Sequence, residues 1–146
     1  MKRISRSAIV EHSAGEMYAL VDDIEAYPRF LPWCIDARVE NQGDRKRATL
    51  TAGLRGLHQV FTTLNENRPA EAIDMRLVEG PFDHFAASWR FRPLSPRACN
   101  IEFTLEYEFS SRTLGKLLEP LFHNIADTMV DAFTRRADEV HGRDQR

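Results

Sequence analysis

Across residues 112–140, apolar side chains return every three or four positions: Leu114, Leu117, Leu118, Leu121, Phe122, Ile125, Met129, Phe133, Ala137 and Val140. That spacing predicts a helix of many turns with one broad apolar face. Lys116, Glu119, Asn124, Asp127, Asp131, Arg135 and Asp138 fill its other side. Most helical stability comes from packing an apolar face, so a helix this one-sided needs a surface of comparable length to cover it. The rest of the chain must supply that surface, which limits the folds open to it. Pro120 falls inside the pattern. It lacks an N–H and crowds the preceding turn, so either a kink or a fresh start of the helix is expected there.

Residues 4–10 are rich in β-branched side chains and predict a first strand. Ser13 followed three residues later by Glu16 is a capping box. Met17, Leu20, Val21 and Ile24 then give a short amphipathic helix. Asp22 and Asp23 are unfavourable at a helix C-terminus, so it ends there. Pro28 suits the first turn of a second short helix over residues 26–30, which Pro32 stops. Strands are predicted over 35–41, 47–54, 57–64, 72–78, 82–91 and 99–109, with turns at 41–44, 65–70 and 79–81 and a loop at 93–96. Gly53 and Gly56 predict a bulge or bend. The last strand alternates most clearly: Cys99, Ile101, Phe103, Leu105, Tyr107 and Phe109 face one way, and Asn100, Glu102, Thr104, Glu106 and Glu108 the other.

Consecutive strands joined by short turns are antiparallel neighbours, and one wet face leaves one apolar face to be covered. The expected class is therefore α+β. A curved antiparallel sheet of about six to seven strands holds the long C-terminal helix, with two short helices after the first strand. Ala48, Ala52, Ala86 and Ala87, with Gly53 and Gly56, leave room between helix and sheet. That room is either ordinary packing variation or a cavity.

With 146 residues, the chain suits a single domain, 1–146. Hydrophobic content of 42% and charged content of 29% belong to a globular protein. A net charge of −2 argues against a dedicated nucleic-acid binder without removing a local basic patch. Cys34 and Cys99 read as free thiols in a reducing cytoplasm. There is no run suited to a signal peptide or a membrane span.

Three segments resemble signatures of the coenzyme-Q-binding START-domain family. Tyr27-Pro28-Arg29-Phe30-Leu31-Pro32-Trp33-Cys34 is similar to its Y-P-x-F-L-P-W-C motif. Gly80-Pro81-Phe82 continuing to Trp89-Arg90-Phe91 is similar to its G-P-F…W-x-F segment. Residues 132–140, AFTRRADEV, are similar to its C-terminal A-F-x-x-R-A-x-E-V. The order of elements resembles the helix-grip, polyketide-cyclase-like fold. Bacterial members include RatA-type ribosome-association toxins, and mitochondrial members assist ubiquinone function. The mitochondrial transit segment is missing, so the resemblance implies a bacterial cytoplasmic protein, with the inner-membrane surface as a peripheral alternative. Thr134 departs from the glutamate that many relatives carry.

The resemblance implies non-enzymatic binding of a hydrophobic ligand, ubiquinone or another prenylated lipid, with no catalytic cofactor. The helix would line the pocket with Leu117, Leu118, Leu121, Phe122, Ile125, Met129 and Phe133. The sheet would add Phe61, Trp89, Phe91, Phe103 and Tyr107. Residues on such a stripe are equally ordinary core. Tyr27, Phe30, Leu31, Pro32 and Trp33 either plug the end of the sheet or form a portal that receives a prenyl tail or dips into a membrane surface.

The alternative partner is the 50S ribosomal subunit. Lys2, Arg3, Arg6, the cluster Arg45-Lys46-Arg47, Arg135, Arg136 and Arg143 are the candidates to meet phosphates, although Asp44, Asp131 and Asp138 lie close to them in sequence. His12, His58, His84, His123 and His141 have no metal-ligand spacing. A cyclase would need an acid or base in the pocket. Only Tyr107, Gln59 and Thr63 are expected inside, so catalysis is the third reading.

Overall fold

The computed structural model describes residues 1–142. Its elements run β1 (Lys2–Val10), α1 (Ala14–Asp22), a 3-10 helix (Ile24–Arg29), β2 (Cys34–Gln42), β3 (Arg45–Leu54), β4 (Leu57–Arg68), β5 (Ala72–Glu79), β6 (Phe82–Ser95), β7 (Ala98–Phe109) and α2 (Arg112–His141). The seven strands form one antiparallel sheet in the order β1-β7-β6-β5-β4-β3-β2. This is the helix-grip architecture: a curved sheet with the long helix against its inner face.

The local signals act as their chemistry requires. The Glu16 N–H donates to Ser13 Oγ at 3.1 Å, and the Ser13 N–H donates to Glu16 Oε1 at 3.0 Å, so the capping box fixes the start of α1. The second short helix is a 3-10 turn that begins at Ile24, two residues before the expected start. On β7 the alternation holds from Cys99 to Tyr107, all buried, while Phe109 is half-buried at the strand end. β6 continues to Ser95 through the expected loop, with Pro93 opposite Cys99 beside a register shift. A proline without an N–H is tolerated at such an irregularity.

Two expectations need correction. The bend assigned to Gly53 and Gly56 is a tight hairpin. Leu54 pairs with Leu57, and Arg55 (φ 51°) and Gly56 (φ 86°) form a two-residue turn with both residues left-handed. The sheet's irregularities lie instead at Cys34/Asp36, Thr62/Thr63, Phe82/His84 and Pro93/Ser95, where bulges increase local twist. The fresh helix start at Pro120 does not occur, because α2 runs unbroken through it. Pro120 and Lys116, whose carbonyl loses its usual donor, are both exposed, so water can satisfy that carbonyl.

The inner face of α2 buries Leu118, Leu121, Phe122, Ile125, Ala126 and Met129, then Val130, Phe133 and Ala137. Leu117 is 50% exposed. At about 100° per residue it lies about 40° beyond Leu121, outside the buried arc. Ala126 and Val130 extend that arc on the opposite flank, so the covered face is rotated away from Leu117.

Candidate functional site

Beneath the middle of α2 lies a cavity of about 50 Å3. Phe122, Ile125 and Met129 form its helical wall. Leu50, Phe61 and Met75 come from β3, β4 and β5; Phe85, Ala87 and Trp89 come from β6; Phe103 and Leu105 come from β7. Tyr27 and Trp33 close it from the segment around the 3-10 helix. Aromatic edges make the enclosure stiff: Phe61 lies 5.5 Å from Phe122 and 5.6 Å from Phe85, and Trp89 lies 5.0 Å from Phe103. Thr63 is the wall's polar side chain besides Tyr27, Trp33 and Trp89. Its hydroxyl donates to Asn65 Oδ1 at 2.8 Å and is already satisfied.

Ligand sites usually enclose roughly 300–1,000 Å3. A void of about 50 Å3 with hydrocarbon walls is therefore a packing gap, well below that range. The unbranched Met75 and Met129 are the side chains best able to yield.

Of the residues expected to bind ligand, Phe61, Trp89, Phe103, Phe122, Ile125 and Met129 line this space. The others lie elsewhere. Leu118 and Leu121 are core under α2. Phe133 packs against Tyr27, Phe30 and Trp89 at 5.4, 5.1 and 5.3 Å. Phe91 stacks on Trp89 and meets Tyr18 edge-on. Tyr107 donates its hydroxyl to Glu119 Oε2 at 2.8 Å, and Leu117 faces solvent. Gln59, expected inside, donates to the Val60 carbonyl and does not line the cavity. Leu50, Met75, Phe85 and Leu105 are additional wall residues. Each sits on the apolar side of an alternating strand, so the signal was present but could not be ranked by depth.

The aromatic motif is turned inward. Tyr27 is 6% exposed, Leu31 2% and Trp33 2%, leaving Phe30 half-buried and Pro32 exposed. Of the two readings of this segment, plug or portal, the burial of Tyr27, Leu31 and Trp33 fits a plug at the end of the sheet. Tyr27 donates its hydroxyl to the Val21 carbonyl, and burial pushes its pKa far above the ordinary phenol value. The Trp33 carbonyl accepts from the Gly53 N–H at 2.8 Å, but its buried indole N–H has no partner among the described residues.

Outside Trp33 lies a groove of about 470 Å3. One wall is Arg29, Phe30, Leu31 and Pro32; the other is Asn124, Thr128, Ala132, Arg135, Arg136 and Glu139 of α2. Trp33 lines the groove and the cavity alike. Arg136 lies over the Phe30 ring at 5.1 Å and pairs with Glu139 at 3.3 Å.

Most other candidate cations are answered by acids. Lys2 meets Glu119 at 2.9 Å, Arg3 meets Glu106 at 3.2 Å, Arg6 meets Asp127 at 2.9 Å and Lys46 meets Asp22 at 2.8 Å. Arg47 lies 4.0 Å from Glu79. Arg143 lies outside the described residues.

Burial raises the thiols of Cys34 and Cys99 to about 11, so both are protonated near neutrality and poor nucleophiles. Burial and the hydrogen bond to Glu119 also raise Tyr107. Among the described residues no three His, Cys, Asp or Glu side chains gather to hold a metal ion, and no helix is long and apolar enough to cross a membrane.

A sheet gripping a helix over an apolar gap, without an activated nucleophile among its thiols, defines a helix-grip protein. The chain belongs to the polyketide cyclase / dehydrase and lipid transport family, whose model matches residues 10–134. It is 41% identical over 143 residues to the ribosome association toxin RatA of Vibrio cholerae, covering 97% of this chain and 99% of that protein. It is 30% identical over 151 residues to the mitochondrial coenzyme Q-binding protein COQ10 homolog B of Xenopus laevis, covering 99% of this chain and 62% of that one. The crystal structure of the Zhui aromatase/cyclase from Streptomyces sp. R1128 superposes with a TM-score of 0.82 at 16% identity, covering 94% of each chain. That last likeness is one of fold.

Proposed function

We propose that this protein binds a hydrophobic ligand non-covalently, with the tail beneath α2 and without catalysing a reaction on it. The observation that carries this reading is the hydrocarbon-walled cavity between Phe122, Ile125 and Met129 and the sheet. A tail entering it exchanges water for apolar surface, gaining about 25 cal/mol per Å2 buried. No acid or base needs to act: the Thr63 hydroxyl is occupied by Asn65, and Tyr107 by Glu119. The name of the coenzyme Q-binding relative supports a prenylated quinone as the ligand. Lipid extraction of the purified protein with mass spectrometry, followed by titration with decyl-ubiquinone, tests the reading. Recovery of no lipid together with no saturable uptake overturns it.

The second reading is association with the large ribosomal subunit, supported by the 41% identity to a protein named a ribosome association toxin. Sedimentation with 30S and 50S subunits tests it. Co-migration with 50S and reduced 70S formation are the expected results, and an unchanged 70S peak removes the reading. A ligand under α2 and a ribosome-facing surface are compatible, so one result does not decide the other.

A further inference from the structure

We infer that the ligand of this protein carries an anionic head, a phosphate or a carboxylate, held in the groove by Arg29 and Arg135. Trp33 then forms the partition between that head and the hydrocarbon tail. This rests on the hydrophobic-ligand reading above, keeps its tail site and replaces the uncharged quinone head with an anionic one.

Two observations lead to it. The first is charge. The groove gathers three guanidinium groups and one carboxylate. Glu139 pairs with Arg136, which is also held against Phe30. Arg29 and Arg135 have no acidic partner among the described residues, although most cations elsewhere on the surface have one. Two unpaired planar forks across a groove match a phosphate or carboxylate, which accepts parallel N–H bonds.

The second is the Trp33 indole N–H, buried without a partner in a residue 2% exposed. Buried donors are nearly always satisfied, and a ligand oxygen can answer this one once the side chains around it give way. Trp33 is the residue common to groove and cavity. On α2 the two spaces alternate by one position: Asn124 and Thr128 face the groove, Ile125 and Met129 the cavity.

The groove's about 470 Å3 falls in the range of ligand sites, whereas the cavity's about 50 Å3 does not. The head therefore has a site already formed, and the tail must open one. The inner surface of the groove is apolar, with Leu31, Ala132 and Trp33. Nucleic-acid backbones gain most from a basic surface that follows several phosphates. A recess with two free arginines that shares a wall with a hydrocarbon cavity instead suits one charged head on one tail.

The test is calorimetric titration of the whole chain with dodecyl phosphate, dodecanol and inorganic phosphate, each amphiphile below its micellar concentration. Dodecyl phosphate should bind about tenfold or more tightly than dodecanol at low salt, and the advantage should shrink in about 0.5 M salt. The double variant Arg29→Gln, Arg135→Gln should lose that advantage and keep its affinity for dodecanol. Both positions are exposed, and circular dichroism confirms that the fold persists. Tail entry should shift the emission of Trp89 with either amphiphile, and the additional shift seen with dodecyl phosphate but not with dodecanol should vanish in Trp33→Phe.

Equal binding of dodecanol and dodecyl phosphate overturns the anionic head but leaves the tail site intact. Binding of neither overturns the hydrophobic-ligand reading as well. Inorganic phosphate binding as tightly as dodecyl phosphate makes the groove a free-phosphate site and overturns the amphiphile. A double variant that loses 50S co-sedimentation but keeps its dodecyl phosphate affinity assigns the arginines to RNA. A phosphate-specific emission shift that survives in Trp33→Phe removes Trp33 from the partition.

Discussion

The Tyr107 hydroxyl on β7 donates to Glu119 Oε2 on α2 at 2.8 Å, and Lys2 on β1 reaches Glu119 Oε1 at 2.9 Å. Three elements thus meet at one carboxylate near the start of α2. Tyr107→Phe removes the neutral donor while keeping the ring. It should lower stability by about 1.5–3 kcal/mol, the usual size for a hydrogen bond to a charged group. Because Tyr107 does not line the cavity, decyl-ubiquinone affinity should stay unchanged. Urea unfolding and titration check the two halves, and a variant of full stability with weakened ligand uptake would contradict both.

The exposure of Leu117 and the burial of Leu121 make the rotation of α2 measurable. Leu117→Asp should change stability by no more than about 0.5 kcal/mol, as expected for a surface position. Leu121→Ala should cost about 2–5 kcal/mol, because its cavity collapses only partly. Similar losses in thermal or urea unfolding would mean that the helix is turned differently.

Ala87 lines the cavity from β6. Ala87→Val adds two carbons to a gap of about 50 Å3. Its stability should stay within about 1.5 kcal/mol of the original, as filling offsets local overpacking. Hydrophobic-ligand affinity should fall by about tenfold or more, since the space a tail must widen is occupied. Unaltered uptake in the folded variant would place the tail elsewhere.

The capping box gives the protein a defined acid response. The Ser13 N–H holds the Glu16 carboxyl below its ordinary 4.5, with His141 adding to the effect against the opposing influence of burial. A depressed carboxyl stabilises the fold above its unfolded value, and this contribution is lost as pH falls through the lower folded value. Ser13→Ala should cost about 1 kcal/mol at neutral pH. Glu16→Gln should flatten the stability curve below a pH of about 4.5. Urea midpoints collected from pH 3 to pH 7 check both, and an unaltered acid limb in Glu16→Gln would assign it to other carboxyls.

Local rules carried far along this chain because they act over a few residues. Ser13 and Glu16 mark a helix start through their own hydrogen bonds. The alternation from Cys99 to Tyr107 marks a strand because its side chains must divide between water and core. The apolar steps of α2 show that it needs a cover, and short turns show that the cover is an antiparallel sheet. The resemblance carried by residues 27–34 and 80–91 and by the AFTRRADEV segment pointed to the family that the comparisons show.

The sequence determined the kind of each element, their order and the need to join sheet to helix, since periodicity and capping are set by neighbours in the chain. Only the tertiary structure decided how they meet. A helical stripe has no sharp edge, so packing had to choose which flank to bury, and Leu117 fell outside. An apolar residue reads alike whether it touches protein or empty space. The difference between core residues such as Phe133 and cavity wall such as Phe122 therefore comes from contacts across the sheet. Trp33 is the clearest case: its motif marks a turn, but only packing leaves its indole N–H unpaired between an apolar gap and an arginine-lined groove.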